Sequence, residues 1–92
     1  MSPSSELLVE RQAQLPATVA LHARPAGTLV RAAAAFNADV FVSANGRRAN
    51  AKSILEILGL GADGGTELTI SASGDDAVEA VAELASLVTA LS

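Results

Sequence analysis

Ninety-two residues suffice for one two-layer core and are too few for two; half are hydrophobic, but Phe36 and Phe41 are the only aromatics. The net charge of −4 and the lack of stacking rings argue against nucleic-acid binding. With no cysteine there is neither a disulfide framework nor a thiolate metal site, which points to the cytoplasm, and no apolar run is long enough for membrane insertion.

Residues 1–8 are expected to form a short flexible leader, small and polar at the start and unlike a signal peptide. Residues 9–92 then make a single domain. Val9 to Leu15 alternates as a strand, with Arg11 interrupting its apolar face, and Pro16 ends it. Ala17 to Leu21 is a loop. Pro25 suits the first position of a helix, whose buried stripe is Ala26, Leu29, Val30 and Ala33. This helix is expected to run to Ala35 or Phe36, with Asn37 as its stop.

Asp39 to Ser43 reads as a second strand, and Asn45-Gly46 as a type I′ hairpin turn leading to a short polar edge strand, Arg47 to Asn50. Ser53 and Glu56 match a capping box at the start of a short second helix. Gly59, Gly61 and Gly64-Gly65 break it and lead into a strand at Thr66 to Ala72. Gly74-Asp75-Asp76 opens the last helix, with Val78, Val81, Leu84, Ala85, Val88 and Leu91 as its expected buried stripe. The order β-α-β-β-α-β-α suggests an α+β two-layer domain.

The only histidine, His22, lies just ahead of the first helix, near its unpaired N–H groups and the positive end of its dipole. A phosphoryl group on that ring could draw on the backbone and on Arg24. By residue types and spacing alone, an ordinary surface histidine before a proline-initiated helix accounts for the run at least as well. Too few ligands are present for a zinc site, so no metal is expected, and no nucleophile elbow appears.

The run Leu21-His22-Ala23-Arg24-Pro25-Ala26 resembles the active-site signature of the HPr phosphocarriers of the phosphoenolpyruvate:sugar phosphotransferase system. A second block, Asn50-Ala51-Lys52-Ser53-Ile54-Leu55 followed by Leu58-Gly59-Leu60-Gly61, resembles that family's regulatory-serine segment, at the family's usual separation. The likeness extends from Val9 to the end. It implies a two-layer open-faced β-sandwich, with a four-stranded antiparallel sheet in the order 1-4-2-3 and three helices on one face.

The resemblance also implies a bacterial, cytoplasmic carrier without turnover of its own and without cofactor. Nδ1 of His22 would take the phosphoryl group from Enzyme I and pass it to an enzyme IIA for sugar uptake. Arg24 would spread over the phosphate oxygens, while Ala23 keeps bulk away and offers its N–H. Ser53 resembles a serine phosphorylated by a dedicated kinase (with its phosphorylase) in many Gram-positive relatives, although a helix cap explains that serine equally well. Ile54, Leu55 and Leu58 correspond to a partner-docking patch and are expected to divide between core and surface. A nitrogen-branch paralogue, or an adaptor binding a transcriptional regulator, is the alternative role. A monomer is expected. One departure stands out: the family commonly carries a glycine just before the Leu-His pair, often with an asparagine nearby, where this chain has Val19-Ala20, and Ala20 has fewer backbone choices.

Overall fold

The computed structural model describes residues 8–92. Seven elements follow in order: β1 (Leu8–Gln14), α1 (Ala23–Ala34), β2 (Asp39–Ala44), β3 (Arg47–Asn50), α2 (Ile54–Leu58), β4 (Glu67–Ser73) and α3 (Ala77–Thr89). Residues 1–7 of the expected leader lie outside the described residues, and Leu8, placed in that leader, is the first residue of β1. The sheet is antiparallel throughout, in the order β1-β4-β2-β3.

Alternation explains the sheet. Val40, Val42 and Ala44 on β2 and Leu68, Ile70 and Ala72 on β4 are buried toward the helices. The register sets Ile70 between Arg11 and Val42, so β4 is an inner strand. Arg11 lies on edge strand β1, where its side chain reaches water, which is why a charge is tolerated in an otherwise inward row. Asn45 (φ 55) and Gly46 (φ 75) supply the two positive φ angles of the β2–β3 turn.

Helix α1 buries Ala26, Leu29 and Ala33, with Val30 partly covered. It begins earlier than its proline suggests. His22 is the N-cap and its carbonyl accepts from the Ala26 N–H at 2.8 Å, which puts Pro25 third in the helix rather than first. Proline is tolerated throughout the first turn because none of those N–H groups has an intrahelical partner. The expected stop at Asn37 is also corrected: Ala35 caps the helix in the right-handed region, and Phe36 N–H bonds to the Ala33 carbonyl. Lys52 then reaches the Phe36 carbonyl with its Nζ at 2.8 Å, a cation at a helix carboxyl end.

Helix α3 packs on β1, β4 and β2 through Ala77, Ala80, Val81, Leu84, Ala85 and Val88. Val78, expected in that stripe, is 62% exposed; the small Ala77 and Ala80 take the sheet-facing places and turn Val78 outward. Leu91 is half-buried against the core. Fully burying an aliphatic side chain contributes about 1.5–3 kcal/mol. By that measure α2 is weakly held from within, because Ile57 is its only buried residue.

Asp76, the N-cap of α3, bonds across the fold rather than to its own helix. Its carboxylate accepts from the N–H groups of Asn37 and Ala38, both at 2.8 Å, fixing the turn between α1 and β2. The Asn37 N–H, chiefly, holds the Asp76 carboxyl below the usual carboxylate value; the Ala38 N–H and Lys52 act in the same direction against partial desolvation. A lowered folded pKa means that the stabilisation is complete above the unfolded value and is lost as pH falls through the folded one. Asp76→Ala should therefore lower the melting temperature at pH 7, and the gap to wild type should close as melting is repeated at successively more acid pH below about 4.

Candidate functional site: the start of helix α1

The loop between β1 and α1 is fastened along its length. Leu15 N–H bonds to the Thr66 carbonyl at 2.9 Å, Gly65 N–H to Pro16 at 3.1 Å, and Leu21 N–H to Ala62 at 2.9 Å. Leu15, Val19 and Leu21 are buried between these points. Ala20 sits within this loop without a positive φ, so an alanine is accommodated there unstrained. The His22 N–H in turn bonds to the Ala20 carbonyl at 2.8 Å.

His22 thus has a fixed backbone, extended at φ −85 and ψ −169, and an exposed side chain that caps nothing. Of the helix N–H groups that follow, Pro25 has none and Ala26 is bonded back to His22. This leaves the N–H groups of Ala23 and Arg24 without a partner among the described residues. The first turn carries no acid, and Arg24 is exposed, with no acceptor for its guanidinium among the described residues. An imidazole, two N–H groups and a guanidinium therefore surround the positive end of a helix, an arrangement suited to a dianion bonded to the ring.

Ser53 is the N-cap of α2, and its Oγ accepts from the Glu56 N–H at 3.3 Å. The reciprocal half of the expected capping box is not formed. Ser53 N–H bonds to the Asn50 carbonyl, so the Glu56 carboxylate turns to the Asn50 N–H instead, at 2.8 Å. The apolar group on α2 does not divide between core and surface as expected. Ile54 and Leu58 are each 38% exposed and Leu55 is 78% exposed, because Ile57 alone supplies the core contact. Helix α2 packs beside α1, so this apolar group lies on an element adjoining the helix that His22 caps.

Two supporting residues escape sequence reasoning. Ala62 offers only a backbone carbonyl, and Gly64 acts through having no side chain: a Cβ there would collide with the Ala17 carbonyl. The Gly64-Gly65 pair is the sole sequence trace of this close approach, and it reads equally well as a helix breaker.

An exposed histidine at the N-cap position of an open helix start, on an open-faced four-stranded sandwich, is the arrangement of the small histidine phosphocarriers. The family model described as "PTS HPr component phosphorylation site" matches residues 9–90. The phosphocarrier protein HPr of Vibrio cholerae is 45% identical over 80 residues, covering 87% of this chain and 94% of the relative. The HPr-like protein Crh of Bacillus subtilis is 38% identical over 81 residues, covering 88% and 95%. The crystal structure of HPr from Bacillus anthracis matches with a TM-score of 0.84 at 39% identity, over 89% of this chain and 98% of that one. The chain belongs to the HPr family: it is a phosphocarrier of the bacterial phosphotransferase system and not a catalytic enzyme.

Replacing Gly64 by alanine should force the segments 15–21 and 62–66 apart. Overpacking of this kind costs about 1–3 kcal/mol. Chemical denaturation should show that loss, with the Leu21 and Gly65 amide resonances moving most in an NMR spectrum.

Proposed function

We propose that His22 is the phosphoacceptor of this carrier and that residues 9–92 act as one cytoplasmic domain. Phospho-Enzyme I presents a phosphohistidine. The lone pair on Nδ1 of His22 attacks its phosphorus in line, the donor N–P bond breaks, and a new N–P bond forms on His22. Enzyme IIA then takes the group by the same exchange in reverse, and sugar uptake follows. Arg24 and the Ala23 and Arg24 N–H groups neutralise charge on the equatorial oxygens without entering the covalent chemistry. Ile54, Leu55 and Leu58 offer the apolar contact for both partners, which bind in turn to a monomer. Neither cofactor nor metal takes part.

The observation that carries this reading is the coincidence, at one helix start, of an exposed imidazole, a cation and two N–H groups that have no partner among the described residues. Incubation with phosphoenolpyruvate, magnesium and catalytic Enzyme I, followed by intact mass, tests it. One acid-labile phosphoryl addition is expected in the wild type and none in His22→Ala. Addition to the His22→Ala protein would refute the assignment.

Similarity to Crh and the cap position of Ser53 favour a second, regulatory reading. In it a serine kinase phosphorylates Ser53, a phosphorylase reverses the modification, and the modified chain binds a transcriptional regulator. Glu56 is already engaged at Asn50, which lowers the local cost of a phosphate on Ser53. A nitrogen-branch role differs from the sugar branch only in partners, and phosphorylation by the two Enzyme I types distinguishes them.

Two substitutions separate the chemistry from docking. Arg24→Ala removes charge-assisted bonds of about 1.5–3 kcal/mol, so transfer at saturating Enzyme I should slow by roughly tenfold to a hundredfold. Leu55→Asp should raise KM for Enzyme I, and denaturation should stay within about 0.5 kcal/mol of wild type because the side chain supports no core.

A further inference from the structure

The N–H groups of Gly59, Leu60 and Gly61 close helix α2 on the carbonyls of Leu55, Ile57 and Leu58, but the carbonyls of Gly59, Leu60 and Gly61 themselves, beyond the helix, have no backbone donor among the described residues. The β2–β3 hairpin supplies donors from across the fold. Asn45 Nδ2 donates to the carbonyls of Leu60 at 3.2 Å and Gly61 at 3.3 Å, and the Arg47 guanidinium donates to Gly59 at 3.1 Å. The next carbonyl along, that of Ala62, holds the Leu21 N–H, one residue before His22. Consecutive carbonyls from Gly59 to Ala62 are therefore gripped by the hairpin on one side and grip the acceptor loop on the other. With Ile57 as its only buried residue, α2 does little to fix this strip from its own end.

Turn preference accounts for an asparagine at position 45, since φ 55 favours Asn, Asp or Gly there. It does not account for an amide directed at two carbonyls fifteen and sixteen residues away. We propose that Asn45 is a positioning residue for His22, acting through the carbonyl strip 59–62 and the Leu21 N–H; this rests on His22 being the phosphoacceptor. Asn45 touches neither the phosphoryl group nor the partner. It sets where the acceptor loop lies relative to α2, so that the ring and the docking surface meet a partner together.

Glycine and aspartate separate the two roles. Both suit the turn, but Asn45→Gly has no donor and Asn45→Asp turns a carboxylate toward two carbonyls. The measurement is amide exchange at Leu21 relative to Ile70 on inner strand β4, together with kcat and KM for phosphorylation by phospho-Enzyme I. Loss of a bond of ordinary strength should speed exchange at Leu21 about threefold to tenfold over Ile70 in Asn45→Gly. The same variant should lower kcat more than it raises KM, and Asn45→Asp should exceed it on both counts. Wild-type values for both variants, or exchange that rises equally at Leu21 and Ile70, would overturn the proposal. So would faster exchange at Leu21 with unchanged kcat. If the wild type takes no phosphoryl group, the positioning role falls with the acceptor, and a selective rise at Leu21 would place the failure at the acceptor rather than at the tether.

Discussion

The hydrogen bond from Leu21 N–H to the Ala62 carbonyl, with its neighbours at Leu15–Thr66 and Gly65–Pro16, joins the two loops at one end of the sandwich. Without these bonds the segment between β1 and α1 would be an unstructured connection, and the start of α1 would wander with it. With them, the backbone of His22 is immobilised while its ring stays in solvent. A carrier needs that separation of fixed main chain from free side chain, because the ring must meet a donor and then an acceptor in the same orientation. Gly64 permits the close approach and Leu21 seals it from inside.

The three helix starts are treated differently, and the difference is electrostatic. At α2 the start is occupied by the Ser53 hydroxyl, with Glu56 in the first turn. At α3 acids crowd the start, with Glu79 in the first turn and Asp76 at the cap. Only α1 has neither acid nor side-chain cap, and it is followed by Arg24. In a chain of net charge −4, the one helix start without local negative charge among the described residues is the one that carries the imidazole. The rest of the polar chemistry serves the scaffold: Lys52 closes the end of α1, Asp76 fixes the turn after it, and the hairpin holds the end of α2.

Local pattern made much of this legible. Alternation at Val40 and Val42, and at Leu68, Ile70 and Ala72, marks strands whose inner faces are buried as expected. Asn45-Gly46 marks the hairpin because so few residues accept its φ angles. The misread points share a cause, which is competition from partners distant in sequence or space. Pro25 marks the first turn of α1 without fixing its first residue. Glu56 leaves the capping box because Asn50 has already taken the Ser53 N–H. Val78 yields the sheet side of α3 to smaller alanines. Sheet order and the side-chain tethers of Asn45, Arg47 and Asp76 have no local signature at all; only the family resemblance implies the order. His22 and Arg24 stand out in their run, but that the two N–H groups beside them lack a partner among the described residues follows only from the hydrogen bonds of the folded chain.

The central claim is that the open start of α1 receives the phosphoryl group. A two-dimensional amide spectrum, recorded before and after phosphorylation by Enzyme I, tests it most directly. The largest shifts should fall on the Ala23 and Arg24 N–H groups, in the direction of stronger hydrogen bonding, with the strands unmoved. Phosphorylation that leaves those two amides unchanged would contradict the account, because the helix start would then play no part in holding the group.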